Sequence, residues 1–271
     1  MWVKRVMKLF ASDYDGTYWK HTLKGQLDLK KNIKMTKKWQ KEGHLFVFAT
    51  GRSISLIRLE EWLHGIVYDY IVGLNGGIIV SKDGEILFQQ AIEESVARKI
   101  VKVIQAEDLL QYEITDGIYG HYQTTFKWSH KTFYLFKLFK LFFKEYNLTL
   151  EESLKRPVVQ ISIKMKSHEQ AIEFAKKMNQ EFGDEIVAYS NLRHVDISAK
   201  GLSKATGVDY VAKLHHINPD QVYCIGDSFN DVPMFETFHG YTLPEACDEI
   251  KQCAEKVFET VDEAMKFSLK K

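Results

Sequence analysis

Residues 11–19 read A-S-D-Y-D-G-T-Y-W, and the apolar run V-M-K-L-F-A leads into them from Val6. An apolar run that stops at Asp13 and Asp15, followed at once by Gly and Thr, is the text of a buried strand whose carboxyl end opens on a polar turn. Two carboxylates one residue apart repel, and each makes the other harder to ionise. Whatever offsets that cost defines what the turn is for.

The pattern repeats outward from this strand. A helix is expected from about Leu27 to Glu42, with Gly43 placed to stop it, and H-L-F-V-F-A (His44–Ala49) is a second compact apolar strand. A helix over Ile54–Leu63 and a third strand in Y-D-Y-I-V-G-L follow, and that strand ends at Asn75-Gly76-Gly77. The alternation resumes late, with a helix over Leu202–His216, a strand over Gln221–Gly226, and helical text from about Phe229 and Glu245. Strands separated by helices predict an α/β fold with a parallel sheet covered on both faces. Between roughly Gln90 and Ala188 the text changes, interleaving helices (Glu93–Ala106, Glu169–Phe182) with strand-like pieces such as R-P-V-V-Q-I-S-I-K-M. This predicts an α+β unit over residues 90–188, inserted into a discontinuous core of residues 1–89 and 189–271.

Composition excludes several classes. A net charge of +1 over 271 residues is not that of a general nucleic-acid binder, and 45% hydrophobic with 27% charged residues is that of a globular chain rather than a disordered or membrane-embedded one. Three cysteines, Cys224, Cys247 and Cys253, suit a reducing cytoplasm better than a disulfide framework. The N-terminal apolar run is broken by Lys8 and is shorter than the core of a signal peptide.

In open parallel sheets, ligands bind beyond the carboxyl ends of the strands. There the sequence places D-Y-D-G-T, T-G-R (Thr50–Arg52), N-G-G (Asn75–Gly77) and G-D-S-F-N-D (Gly226–Asp231). Asp13, Asp15 and Asp227 would form an oxygen-rich cluster suited to a hard divalent cation such as Mg²⁺, which offsets the repulsion and leaves positions for phosphate oxygens. A carboxylate can itself attack phosphorus, forming an aspartyl-phosphate. An acid beside it has to carry a proton, which burial and neighbouring acids favour. Gly16 permits the tight turn that brings backbone donors near a phosphate.

With G-L-S-K (Gly201–Lys204) added, the ordered set D-x-D-G-T, T-G-R, N-G-G, G-L-S-K and G-D-S-x-N-D resembles the haloacid dehalogenase (HAD) superfamily, specifically its Cof-type hydrolases with a type-IIB cap. The resemblance spans nearly the whole chain. It implies a Rossmann-like core with the inserted unit as a cap that closes over the site. It also implies Asp13 as nucleophile and Asp15 as the acid that protonates the leaving oxygen and then activates water. Metal would be held by the Asp13 side chain, the Asp15 main-chain carbonyl and the Asp227 side chain. Thr50, the Gly51 amide and the Tyr14 amide correspond to phosphate holders, and Lys204 to the cation that balances phosphoryl charge, with Lys200 the weaker match. Asn230 and Asp231 would brace the Asp227 loop or touch phosphate, while Asn75 and Arg52 would face substrate. Where the family commonly has V-A-M-x-N-A, this chain has G-Y-T-L-P-E-A (Gly240–Ala246).

Plainer readings stand beside these. Asn75 also suits a simple turn, Arg52 an ion-pair partner, and Asp227 with its neighbours a helix cap. Within the inserted unit, Tyr119, His121, Tyr122 and Lys127 are candidates to reach a ligand. The stretch Phe126–Tyr146 carries Lys137, Lys140 and Lys144 on one helical face amid aromatic and aliphatic residues. It suits a helix packed on the cap sheet, a dimer interface, a wall over the substrate or a membrane-surface contact, and it is too short and charged to span a bilayer. The expected activity is a cytoplasmic Mg²⁺-dependent phosphatase acting on a small phosphorylated metabolite, sugar phosphates included. A sugar-phosphate phosphomutase and a catalytically silent sugar-phosphate sensor are the competing readings.

Overall fold

A computed structural model describes residues 6–124 and 148–271. Phe126–Tyr146 and Lys127 lie outside the described residues. The chain divides into two compact units, one of Met1–Arg52, Leu56–Phe88 and Ser203–Lys271, the other of Ser53–Ser55 and Gln89–Leu202. No helix among the described residues is long and apolar enough to cross a membrane.

The first unit is built on a mixed sheet. Its strands are β1 (Leu9–Ser12), β2 (Leu45–Ala49), β3 (Tyr70–Gly73), β4 (Ile78–Ser81), β5 (Ile86–Gln89), β11 (Val222–Ile225), β12 (His239–Thr242) and β13 (Lys256–Val257). They run in the order β13-β12-β11-β1-β2-β3-β4-β5, with β1 parallel to both β2 and β11. β4 returns antiparallel to β3, so the sheet is parallel at its centre and not at that edge. Alternation along the central strands sorts two different cores. Leu9, Ala11, Val47, Ala49 and Val72 pack in one aliphatic cluster with Val208, Val211 and Ala212 of the helix Lys204–Leu214. Phe10, Phe46 and Phe48 form an aromatic layer with Tyr14, Tyr18 and Trp39, where Phe10 meets Trp39 at 5.6 Å and Phe48 meets Tyr18 edge-on at 4.8 Å. Trp39 belongs to α1 (Leu23–Lys41), which Thr22 caps by accepting from the Gly25 amide. Gly43 follows α1 in the left-handed region at φ 85°, the stop expected of it.

The second unit is an antiparallel sheet in the order β7-β6-β8-β10-β9, made from Gln111–Thr115 (β6), Gly120–Gln123 (β7), Gln160–Lys164 (β8), Ile186–Asn191 (β9) and His194–Ala199 (β10). Ile114, Ile161, Ile163, Val195 and Ile197 are fully buried, and the helices Glu94–Gln105 and His168–Phe182 bury apolar stripes of their own. Alternate positions Gln160, Ser162, Asp196 and Ser198 are linked by side-chain hydrogen bonds. This unit runs past residue 188 to Leu202, because β9 and β10 form a hairpin whose second strand pairs with β8. His121 is buried with Nε2 at 2.9 Å from Asp116 Oδ2, and Asp116 also accepts from the amides of Ile118 and Tyr119.

One packing contact tests the account of the first unit. A Cβ on Gly207 would lie 2.3 Å from Val72 Cγ1 and 3.3 Å from Gly76 Cα. Gly207→Ala, which in an open helix stabilises by about 1 kcal/mol, should here destabilise by about 1–2 kcal/mol in urea denaturation, with Val72→Ala relieving part of the loss. A Gly207→Ala protein as stable as the parent would show that the contact is not tight.

Candidate active site

Four strand-end turns of the first unit meet at one place, and close backbone approaches fix how. After β1, the Asp13 amide donates to the Ile225 carbonyl at 2.9 Å, tying the turn to β11. Gly16 stands at φ 79°, and a Cβ there would fall 2.6 Å from Asp227 Oδ2, so only glycine lets that carboxylate approach. Thr17 Oγ1 donates to Asp227 Oδ1 at 2.6 Å. After β3, Leu74 and Asn75 both take positive φ, at 49° and 52°. Two consecutive non-glycine residues in that region are strained, and Asn75, which is buried, accepts from Asn230 Nδ2 at 3.0 Å. Gly76 brings the turn against the Ser203 backbone, since a Cβ would meet the Ser203 carbonyl oxygen at 2.3 Å. Ser203 caps the helix that Lys204 begins, in a capping box with Thr206.

Lys204 is thereby driven into the protein interior, 1% exposed, with Nζ at 2.7 Å from Asp13 Oδ1 and 2.7 Å from Asp231 Oδ1. Burial alone would lower its pKa, but Asp13 and Asp231 more than reverse that, so the ammonium is held charged. Asp231 is fully buried, and its other oxygen accepts from the amides of Asp227 and Ser228, each at 3.0 Å. Gly226 makes room for it, because a Cβ there would overlap the Asp231 carboxyl. Burial raises the Asp13 carboxyl well above its ordinary range; Lys204 opposes the rise, while Asp231 and Asp227 add to it. Asp227 is raised as well, by burial first and Asp231 second.

Carboxylate oxygens of Asp13, Asp227 and Asp231 lie within 4.8 Å of one another. The donors are all hard oxygens, and one ammonium serves three carboxylates, so the set fits a divalent cation both in ligand type and in charge. Among side-chain carboxylates, Asp231 stands where Asp15 was expected; the Asp15 ligand that the resemblance implies is its main-chain carbonyl, on which this side-chain grouping does not bear. The Asp15 side chain is not in this cluster and not buried: it keeps 44% exposure and turns to Arg52, whose Nε donates to Oδ2 at 2.5 Å and whose Nη2 meets Oδ1. Within this turn Asp13 faces Lys204, while Asp15, two residues on, faces the arginine. Arg52 is correspondingly an ion-pair partner of Asp15 and Glu60. Thr50 Oγ1 accepts from the Arg52 amide at 3.1 Å, which holds T-G-R in a tight turn around Gly51. Lys200, the weaker match, lies in the second unit, exposed and paired with Asp184 rather than with Asp13 or Asp231.

Other residues escaped the sequence reading. Thr17 was visible as the last position of D-Y-D-G-T, without a partner to suggest its role. Tyr14 was noted for its amide, whereas its ring is fully buried with the Arg52 guanidinium 5.2 Å above it. Tyr18 belongs to the aromatic core, its hydroxyl 2.9 Å from Thr36 Oγ1. Glu60 carried a signal, because it continues the buried positions Ile54 and Ile57 at helical spacing, where a carboxylate is out of place. The departing stretch Gly240–Ala246 keeps a structural tie, with Thr242 Oγ1 donating to the Gly226 carbonyl at 2.8 Å.

Removing the buried ammonium should be costly. Lys204→Met strands Asp13 and Asp231, and is expected to cost about 3 kcal/mol or more near neutral pH. Asp13 is already raised, so below its folded value the carboxyl is protonated and needs no cation. The loss should therefore shrink as pH falls from neutral into the acid range in urea melts; a loss that grows toward acid would contradict this charge balance.

The profile of the haloacid dehalogenase-like hydrolases matches residues 10–265. YkrA of Bacillus subtilis, whose name assigns it as a phosphatase, is 25% identical, with 94% of this chain and 93% of that protein covered. Among solved structures, a haloacid dehalogenase-like hydrolase of B. subtilis superposes with a TM-score of 0.79 at 22% identity, covering 96% of this chain and 99% of its own. The HAD subclass IIB sugar phosphatase BT4131 superposes with a TM-score of 0.72 at 18% identity, covering 96% of this chain and 98% of its own. Motifs, fold and profile agree: the chain belongs to the haloacid dehalogenase-like hydrolases and is a phosphatase-type enzyme with the fold of these neighbours.

Proposed function

We propose that the protein is a Mg²⁺-dependent, cytoplasmic phosphatase that hydrolyses a small phosphorylated metabolite, a sugar phosphate being the favoured class, through an aspartyl-phosphate on Asp13. The observation that carries this reading is the buried contact of Lys204 with Asp13 and Asp231 at 2.7 Å each, beside Asp227. A nucleophilic carboxylate has to be ionised, and Asp13 is buried among acids that oppose ionisation; Lys204 supplies half of the remedy. A divalent cation held by Asp13, Asp227 and the Asp15 carbonyl would supply the rest when bound, offsetting carboxylate charge and drawing electron density from the phosphoryl group.

Each remaining step falls to a residue of the chain. Asp13 bonds to phosphorus as the ester oxygen leaves. Asp15, half-exposed and paired with Arg52, gives that oxygen its proton and then takes one from the attacking water. Lys204 stays within reach of the transferring group, and Thr50 with the amides of Gly51 and Tyr14 orients its oxygens. Asn75 and Asn230, bonded to each other at 3.0 Å, set the edge of the site, and Gly16 and Asp231 keep the Asp227 loop in register. The sugar-phosphate class is supported by the shared fold with BT4131. The cytoplasmic placement is supported by the three free cysteines, two of them exposed.

Asp13→Asn should release no inorganic phosphate from p-nitrophenyl phosphate or glucose 6-phosphate while keeping the parent circular-dichroism spectrum; full activity would remove Asp13 from the mechanism. Phosphate release without a bisphosphate activator separates hydrolysis from mutase chemistry. Chelation with EDTA should silence the enzyme, and Mg²⁺ should restore it. Because Asp13 and Asp227 hold protons more tightly than ordinary carboxyls, Mg²⁺ has to displace protons to bind. Its affinity by titration calorimetry should therefore rise with pH through the mildly acid range, and an affinity flat across that range would contradict the ligand set.

A further inference from the structure

Outside the strand-end motifs, one buried group stands in contact with the site and has no role in the chemistry above. Glu60, on the helix Ile54–His64, is 7% exposed and accepts from Arg52 Nη1 at 2.8 Å through Oε1. The same guanidinium grips Asp15 through Nε and Nη2, so all three edges of its donor fork are committed to two carboxylates. Below it lies the Tyr14 ring, 5.2 Å away. Oε2 of Glu60 is 3.4 Å from His64 Nε2, the His64 ring is 4.3 Å from Trp19, Trp19 is 4.0 Å from His21, and His21 Nε2 is 3.3 Å from Asp15 Oδ1. The contacts close a ring around Asp15, with Glu60 as its buried anchor.

An arginine side chain is long and has many rotamers, and an exposed Asp15 alone would leave it free to turn. Glu60 is held on a helix and largely removed from water, where an ion pair is screened far less. We propose that Glu60 is a positioning residue for proton transfer: through Arg52 it fixes the orientation of the Asp15 carboxyl toward the ester oxygen. The inference rests on the reading of Asp15 as acid and base. In the first half-reaction the bond from Asp13 oxygen to phosphorus forms, the bond from phosphorus to the ester oxygen breaks, and Asp15 passes its proton to that oxygen. In the second, water oxygen bonds to phosphorus, Asp15 takes the water proton, and the bond from phosphorus to Asp13 breaks, which restores both carboxyls. Throughout, Nε of Arg52 stays on Oδ2, while Oδ1 exchanges its Nη2 contact for the proton it carries.

The test compares two esters of similar shape in the first half-reaction alone, read as single-turnover phenol release. p-Nitrophenolate leaves without a proton, whereas the more basic oxygen of phenyl phosphate needs one. Glu60→Met should slow release from phenyl phosphate about tenfold and from p-nitrophenyl phosphate by less than about threefold, within the range that acid catalysis commands. Glu60→Gln keeps an acceptor for Nη1 and should recover most of the rate. Arg52→Lys, which keeps the charge and loses the fork, should repeat the Glu60→Met pattern and keeps the test open if that variant folds poorly. Asp15→Asn should show the same selectivity more strongly. An equal fall on both esters, or a Glu60→Gln as slow as Glu60→Met, overturns the positioning role. If Asp15→Asn discriminates and neither Glu60→Met nor Arg52→Lys does, this inference alone fails; if Asp15→Asn falls equally on both esters, the reading of Asp15 fails and takes the inference with it.

Discussion

A single ammonium buried between two carboxylates organises the first unit of this protein. Removing Lys204 from water is expensive, and so is removing Asp13 and Asp231; each is tolerable only because the others are within hydrogen-bonding distance. The contact joins residues from opposite ends of the sequence, so three strand-end turns have to be in register before it can form. What it does not do is balance the charge, since Asp227 stands beside the pair. The excess negative charge is a property of the folded chain, and it makes the site receptive to a cation.

That contact depends on glycines more than on any polar residue. Gly16 admits Asp227, Gly226 admits Asp231, and Gly76 lets the N-G-G turn press on the Ser203 backbone so that Lys204 starts its helix in the right place. In each case the atom a Cβ would strike is part of the site or of the backbone that carries it. The left-handed pair Leu74 and Asn75 adds local strain to the same turn, sustained by the Asn75–Asn230 hydrogen bond.

The strand-end motifs were legible because a parallel sheet collects its carboxyl ends on one side, and because apolar strands of about five residues are easy to see against polar turns. Side-chain direction was harder. Asp13 and Asp15 are two residues apart in one turn, and nothing in D-Y-D-G-T tells that one enters the Lys204 cluster while the other turns outward to Arg52. The partner that orients Arg52, Glu60, lies eight residues further along a helix and belongs to no motif, so only its place on a buried stripe hinted at a role. The end of the second unit was misplaced for a related reason: β9 and β10 are half-buried hairpin strands, and pairing, which decides where they belong, is not written in their own residues.

Asp13 and Asp15 began as a pair of charges too close together, and the fold resolves the conflict by giving each its own cation, Lys204 for one and Arg52 for the other. In the proposed mechanism that separation lets one carboxyl serve as nucleophile and the other carry protons. The most direct measurement is to quench the enzyme during turnover of p-nitrophenyl phosphate, reduce it with borohydride, and locate the reduced carboxyl by peptide mass spectrometry. The account predicts that Asp13 alone is converted to homoserine, marking it as the acyl phosphate; reduction at another carboxylate, or at none while turnover proceeds, would contradict it.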